Sequence, residues 1–363
     1  MADIHSEGFD DATQIKLKIL KEYLKEWLPV FLRKKEKFWI DIFIYDFFAG
    51  EGFDTNGNPG SPIIILEELL KYQNGIKKEN LNLKVILNDI DESKIKKLES
   101  VIRAKNFELD IKFLNQDFTV LFNEIYPEMV SNGNDRLPRF MFIDQYGVKY
   151  VTKDIFNKLA ELKRTDFLFF ISSHFVKRFS ELTEFKKYIE ISKADFDLTK
   201  PYQCHRVVFD YFKDMIPEHK ELYLAPFSLQ KENTSNVYGL IFGSHNLLGI
   251  EKFLKLAWKL DGNAGEANFN IDEAILEGQT FDLFNPDTRA KKLQFFEKEL
   301  KEQIKEKKIN TLKGIYTFAF NYGCLPIHAN VVLKEMKEKG LIKKDIKLVS
   351  SSIHKLEGNI YLK

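Results

Sequence analysis

Cysteine is scarce: Cys204 and Cys324 are the only two in 363 residues. Two thiols build neither a metal cluster nor a disulfide framework, and such low usage points to a reducing compartment, the cytoplasm. Charge of one sign is missing too, since 55 basic side chains face 54 acidic ones for a net charge of +1. A global pull on a polyanion is excluded, and any nucleic-acid contact needs a local patch. No run of about 18 apolar residues occurs, which predicts no membrane span. The stretch Met1 to Asp11 has no basic region leading into an apolar one, which predicts no signal peptide. No Pro-Cys pair exists, arguing against cytosine C5 chemistry through a cysteine nucleophile. What the chain does have is 44% hydrophobic residues, enough for a sizeable core.

Residues Ala12 to Lys35 carry apolar side chains at helical spacing (Ile15, Ile19, Leu20, Tyr23, Leu24, Trp27, Leu28) and read as an amphipathic helix packed on the sheet after it, with Pro29 kinking it or marking its last turns. Short apolar runs then alternate with helical stretches, the pattern of a parallel sheet with crossover helices. The runs are Ile42–Phe47, Leu83–Leu87, Ile111–Leu114, Phe140–Ile143 and Phe167–Ile171, each ending in polar residues or a turn. Leu222–Leu229 and Val237–Phe242, joined by a polar turn, read as an antiparallel hairpin. The fold class expected is α/β, a Rossmann-like seven-stranded methyltransferase sheet closed by an antiparallel hairpin, plus a C-terminal winged-helix domain. The division expected is 1–38 as an N-terminal helical segment, 39–275 as the Rossmann-like domain, 276–309 as a charged helical connector and 310–363 as the winged helix. The last of these rests on helix (Leu312–Tyr322), turn, helix (Ile327–Lys339), then a hairpin over Lys347–Leu362.

Ligands of open α/β sheets bind outside the carboxyl ends of the strands, so the strand ends are searched for chemistry. The first carries Asp46-Phe47-Phe48-Ala49-Gly50-Glu51-Gly52. Glycines allow a sharp turn and close approach of backbone to ligand, and the acidic residue suits a polar cofactor group. The absence of a third glycine, together with the hairpin, favours S-adenosylmethionine over NAD; Asp46, Ala49, Gly50 and Gly52 are the candidate cofactor residues. Phe53 to Pro62 extends this loop and reads either as surface loop or as lid, with Ser61-Pro62 suited to the N-cap and first turn of the next helix. Asp89 can accept both ribose hydroxyls of a nucleoside; Asp91 is second choice, and equally suits a helix N-cap. Asp117 is placed to accept from an adenine amine with Phe118 as an apolar wall, although a cap beside a core aromatic fits that pair as well.

Asp144-Gln145-Tyr146-Gly147 ends the fourth strand, where amino-methyltransferases carry (Asp/Asn)-Pro-Pro-(Tyr/Phe). Asp144 could hold an acceptor amino group and Tyr146 could stack on a base, though the prolines are missing. Ser172-Ser173-His174 could line the acceptor pocket; His174 is a candidate base, or a plain hydrogen-bonding residue. Asp144, Tyr146 and His174 are thus the candidate catalytic residues. Four strand-end carboxylates could also converge on Mg²⁺, but no D-x-E-x-K spacing supports it and no metal site is predicted. His328, Asn330, Lys334, Lys337, Lys339, Lys343, Lys344, Lys347 and Lys355 give the C-terminal unit a lysine-rich face, a candidate nucleic-acid contact or a protein-contact surface.

With these residues in hand, the chain resembles the three-Cys-motif partner protein family nearly end to end. The likeness runs through Ile19-Leu20-Lys21-Glu22-Tyr23-Leu24-Lys25-Glu26-Trp27-Leu28-Pro29, Phe48-Ala49-Gly50-Glu51-Gly52, Gly60-Ser61-Pro62, Phe142 to Gly147, Gly243 to Leu254, Trp258-Lys259-Leu260-Asp261 and Gly265 to Phe269. The family has Asp-Pro-Phe-Gly where this chain has Asp144-Gln145-Tyr146-Gly147. The resemblance implies a class I methyltransferase-like protein working with a three-Cys-motif, radical-SAM-like partner. The expectation is an S-adenosylmethionine-dependent methyltransferase acting on nucleic acid. The alternatives are a non-catalytic nucleotide- or nucleic-acid-binding module and, third, a metal-dependent nucleic-acid hydrolase.

Overall fold

The apolar runs pair into one seven-stranded sheet. The computed structural model describes residues 8–32, 40–105, 107, 109–131, 136–197, 204–217, 219–230, 236–262, 265–266, 291–343, 346–350 and 360. Its strands are β1 (Asp41–Asp46), β2 (Asn82–Asn88), β3 (Asp110–Leu114), β4 (Arg139–Ile143), β5 (Thr165–Ile171), β6 (Tyr223–Gln230) and β7 (Val237–Ser244). The order across the sheet is β3-β2-β1-β4-β5-β7-β6. Strands β1 to β5 run parallel, and β7 is antiparallel to both β5 and β6. The chain therefore has the Rossmann-like sheet and the antiparallel closing hairpin that the apolar runs predict. Every residue of β4 is buried, as in a parallel strand covered on both faces.

Helices cover the two faces and make a three-layer sandwich with two apolar cores. On one face lie α1 (Asp11–Leu32), α2 (Ser61–Leu70), α3 (Gln73–Lys78) and α4 (Glu92–Lys105). On the other lie α5 (Phe118–Val130), α6 (Lys153–Glu161), α7 (Ser173–Phe179), α8 (Thr183–Lys186), α9 (Ala194–Asp197) and α10 (Cys204–Asp214). Helix α11 (Leu247–Leu260) returns to the first face and packs beside α1. Pro29 lies inside the final turns of α1. The apolar stripe of α1 explains its docking, and a polar clamp fixes its register. Tyr23 donates from its hydroxyl to Asp166 Oδ2 at 2.7 Å, and Ser244 Oγ donates to Asp166 Oδ1 at 2.6 Å. Burial pushes the Asp166 carboxyl up to about 6, even with the Ser244 and Tyr23 hydroxyls pulling it down.

Three more helices follow among the described residues, α12 (Lys291–Lys305), α13 (Leu312–Asn321) and α14 (Pro326–Glu338). Helix α13 packs on β6 and α11, and Trp258 Nε1–H donates to the Gly323 carbonyl at 2.9 Å. The helix-turn-helix order expected for 310–363 is present. Most of the expected hairpin, including its turn at 357–359, lies outside the described residues, as does 267–290 of the connector region. No helix among the described residues is long and apolar enough to cross a membrane.

Candidate functional site

The sheet order reverses between β1 and β4, and a cavity of about 450 Å³ opens at the carboxyl ends of the strands around that point. This is the crevice where open α/β sheets hold ligands. Its floor is the glycine loop. Ala49 N–H donates to the Asn88 carbonyl at 2.9 Å and Gly50 N–H to Asp89 Oδ2 at 2.9 Å, tying the loop to the end of β2. Gly52 has φ = +96°, and a Cβ there would stand 2.9 Å from Leu98 Cδ1, so both backbone and space require glycine.

The extension after Gly52 folds back on it, with Gly60 N–H donating to the Gly52 carbonyl at 2.7 Å. Gly60, and not Ser61, is the N-cap of α2; Ser61 and Pro62 occupy its first turn. The Ser61 hydroxyl is instead turned to the buried Asp46 carboxyl, so the N-cap assignment is corrected by one residue. Asp54 organises the extension by accepting from Asn56 N–H at 2.9 Å and Asn58 N–H at 2.7 Å. It also accepts from Phe9 N–H at 2.8 Å, which fastens the loop to the segment leading into α1.

Asp89 borders the cavity, with Oδ2 held by Gly50 and Oδ1 accepting from Asp91 N–H at 2.9 Å. Asp91 caps α4 by accepting from Ser93 N–H at 2.9 Å. Asp117 caps α5, accepting from Thr119 N–H at 2.8 Å, and Phe118 is buried against Phe47 and Phe122. Neither of these two borders the cavity.

Asp144 stands in the cavity wall, and the ammonium of Lys16 from α1 is bonded to its Oδ2. The Lys16 side chain, only 10% exposed, lies over the Phe170 ring, 4.9 Å from its centroid. Gln145 is buried and its Oε1 accepts from Tyr150 N–H at 2.9 Å and Val151 N–H at 3.2 Å. That side chain stabilises the turn where the resembling family has proline. Tyr146 is 63% exposed at the mouth. Ser172 lines the cavity, whereas His174 lies behind Tyr238, with ring centroids 4.6 Å apart and Nδ1 against the Val237 carbonyl at 3.3 Å.

The structure thus gathers Ala49, Gly50, Gly52, Asp89, Asp144 and Tyr146 around one cavity, and sets Asp117, Phe118 and His174 off it. Asp46 is wholly buried and does not border the cavity; burial pushes its carboxyl up to about 7, with the Ser61 hydroxyl offsetting only part of that and Asp144 adding to it. Sequence reasoning missed Phe9, Thr13, Lys16, Phe170 and Tyr238. Lys16 left a trace: at 16, 20, 23 and 27 it shares the buried stripe of α1 with Leu20, Tyr23 and Trp27, and a lysine on such a stripe needs a partner. Among the described residues no group of three His, Cys, Asp or Glu side chains is arranged to hold a metal ion.

No protein-family model and no curated protein matches the chain. Among solved structures it is similar to an S-adenosylmethionine-dependent methyltransferase from Agrobacterium tumefaciens, at 6% identity over 66% of this chain and 64% of that one, TM-score 0.36. An O-methyltransferase of tomaymycin synthesis from Streptomyces achromogenes, in complex with S-adenosylmethionine, aligns at 13% identity over 65% and 91% of the two chains, TM-score 0.33. An O-methyltransferase from Bacillus cereus aligns at 12% identity over 66% and 92%, TM-score 0.34. The chain spans just under two thirds of the first of these. The overlaps are loose, and the fold stands on its own strand order.

Proposed function

We propose that the chain is an S-adenosylmethionine-dependent methyltransferase acting on nucleic acid. The observation that carries this reading is the convergence of the glycine loop, Asp89 and the Lys16–Asp144 pair on one cavity at the point where the sheet order reverses. Its volume, about 450 Å³, lies within the range of about 300–1,000 Å³ typical of small-molecule sites. The residues present fit the cofactor. Asp89 offers remaining lone pairs to a ribose diol, and the glycine backbone admits close approach. Lys16 offers an ammonium to the carboxylate of an amino-acid end. When bound, the cofactor supplies an electrophilic methyl group on a sulfonium. This chain's residues would orient the acceptor: Asp144 accepts from its amino hydrogens and Tyr146 offers a face to a base. Positioning of this kind supplies much of the rate in such transfers.

Three further parts of the proposal rest on sequence and on the C-terminal helices. Residues 310–363 are read as a winged helix, supported by the α13–turn–α14 order. Its lysines on α14 and beyond are read as a surface for nucleic acid or for a protein partner. The family resemblance supports a three-Cys-motif partner, and the scarcity of cysteine supports a reducing compartment, the cytoplasm.

Calorimetry with S-adenosylmethionine tests the cofactor site. Asp89→Ala, which strips Gly50 N–H of its acceptor along with the ribose contacts, should weaken binding about 10- to 100-fold. Gly50→Asp should leave no binding at millimolar cofactor. Wild-type protein that binds nothing, or binding that survives both changes, overturns the reading. A second reading, a binding module without turnover, is favoured by the engagement of Asp144 with Lys16 and the absent prolines. Retained cofactor binding with no S-adenosylhomocysteine formed on any oligonucleotide would select it.

A further inference from the structure

A second cleft, about 660 Å³, adjoins the first and is lined by His174, Phe175, Lys177, Arg178, Lys193 and Glu181 among others. Three of these are cations on the surface between α7 and the segment before α9. Among the described residues none of the three is in an ion pair, while Glu181 is occupied: it accepts from Lys193 N–H at 2.9 Å and faces the Lys186 ammonium at 3.7 Å. The described residues of the cleft therefore present an excess of positive charge that the chain as a whole lacks.

Aromatic rings link this cleft to the cofactor cavity. Tyr146, at the cavity mouth, meets Phe175 edge-on with centroids 6.2 Å apart. Phe175 lies 4.3 Å from the His174 ring, and His174 in turn 4.6 Å from Tyr238, which lines the cavity. Arg178 stacks over Phe179 at 5.2 Å. Cations that track a phosphate backbone beside rings that stack on bases are the combination by which single strands are held without sequence preference.

We infer that this cleft, and not the C-terminal lysine face, is the acceptor-binding surface, and that its ligand is single-stranded nucleic acid. The backbone lies across Lys177, Arg178 and Lys193, and a base reaches over Phe175 and Tyr146 toward Asp144. The inference deepens the methyltransferase reading and rests on it for what happens at Asp144.

The test is fluorescence anisotropy with a labelled 12-nucleotide oligouridylate over a salt series, run beside calorimetry with S-adenosylhomocysteine. Three phosphate contacts should give a log–log salt slope of about −2. The triple variant Lys177→Glu, Arg178→Glu, Lys193→Glu should lose at least about 100-fold in affinity at low salt and flatten the slope, with cofactor binding unchanged. Phe175→Ala should lose about tenfold with the slope kept. The inference is overturned if wild-type protein does not bind the oligonucleotide. It is overturned equally if the triple variant binds as wild type does, or if Lys334→Glu, Lys337→Glu, Lys347→Glu removes binding instead. If the oligonucleotide behaves as predicted while no cofactor binds, the cleft stands and the methyltransferase reading falls.

Discussion

Gly239→Ala should destabilise the fold by about 5 kcal/mol, close to the whole stability of a typical domain. A Cβ on Gly239 would stand 2.0 Å from two ring atoms of His205 and 2.2 Å from a third. The ring has no room to retreat, because it is fully buried between α10 and β7. Its Nε2–H donates to the Leu240 carbonyl at 3.0 Å, and its Nδ1 accepts from Ser173 Oγ–H at 2.8 Å. Burial pushes this imidazole down to about 4, so it is neutral and fixed in one tautomer. Overpacking costs about 1–3 kcal/mol, and each buried hydrogen bond broken adds about 1–3. Denaturant unfolding measures the sum. The double variant Gly239→Ala, His205→Ala should be more stable than Gly239→Ala alone, since the clash is gone. An unchanged midpoint for the single variant would show that β7 and α10 do not pack this way.

Asp46→Asn should stabilise the protein at neutral pH while weakening cofactor binding. Burial raises the Asp46 carboxyl from 3.8 to about 7. Its Oδ1 receives a long bond of 3.3 Å from Phe48 N–H, while Oδ2 has no hydrogen-bond partner among the described residues. A folded-state value above the unfolded one means that the native chain holds its proton more tightly. The associated stability is complete below about 4 and is lost as pH rises through about 7. At 1.36 kcal/mol per pH unit the ionised group costs about 4 kcal/mol above pH 7. The amide avoids that cost but leaves a buried polar group, returning about 1–3 kcal/mol. The variant should therefore be about 1–3 kcal/mol less stable than wild type at pH 4 and about 1–3 kcal/mol more stable at pH 8. A difference that does not change with pH would show that Asp46 is not a titrating buried acid. The coupling to function comes from charge: a cationic cofactor favours the ionised carboxylate, so wild-type affinity should rise with pH and the amide should lose that dependence. Stability surrendered at a binding site is a common trade.

The sheet was legible because parallel strands buried on both faces are near-continuous apolar runs: Phe140–Ile143 and Phe167–Ile171 stand out against the charged helices between them. The glycine loop was legible because Gly50 and Gly52 answer a backbone demand. Asp117 shows the limit. A carboxylate ahead of a helix looks the same whether it meets a ligand or caps α5, and only the cavity's outline separates the two. Lys16 was obscured for a different reason. Its partner, Asp144, is 128 positions away, so no local pattern pairs them, and α1 read as packing alone. Gln145 belongs with it: that no proline stands there is visible in sequence, the two hydrogen bonds its side chain accepts are not.

Helix α1 has a history as well as a place. Every group that clamps it (Asp144, Asp166, Ser244, and Lys252, whose ammonium meets Glu26 at 2.7 Å across 226 positions) belongs to chain made after it. At about 5–20 residues per second on the ribosome, α1 waits on the order of ten to forty seconds for Lys252, the most distant of these partners in sequence. Helix α2, against which α1 also packs, follows far sooner, but through that interval the Tyr23 ring lacks Phe242 and Phe253, which it meets at 4.7 and 6.4 Å in the folded protein. The cavity to which Lys16 contributes is therefore completed only once β7 has been made, because that strand brings Tyr238 to its wall.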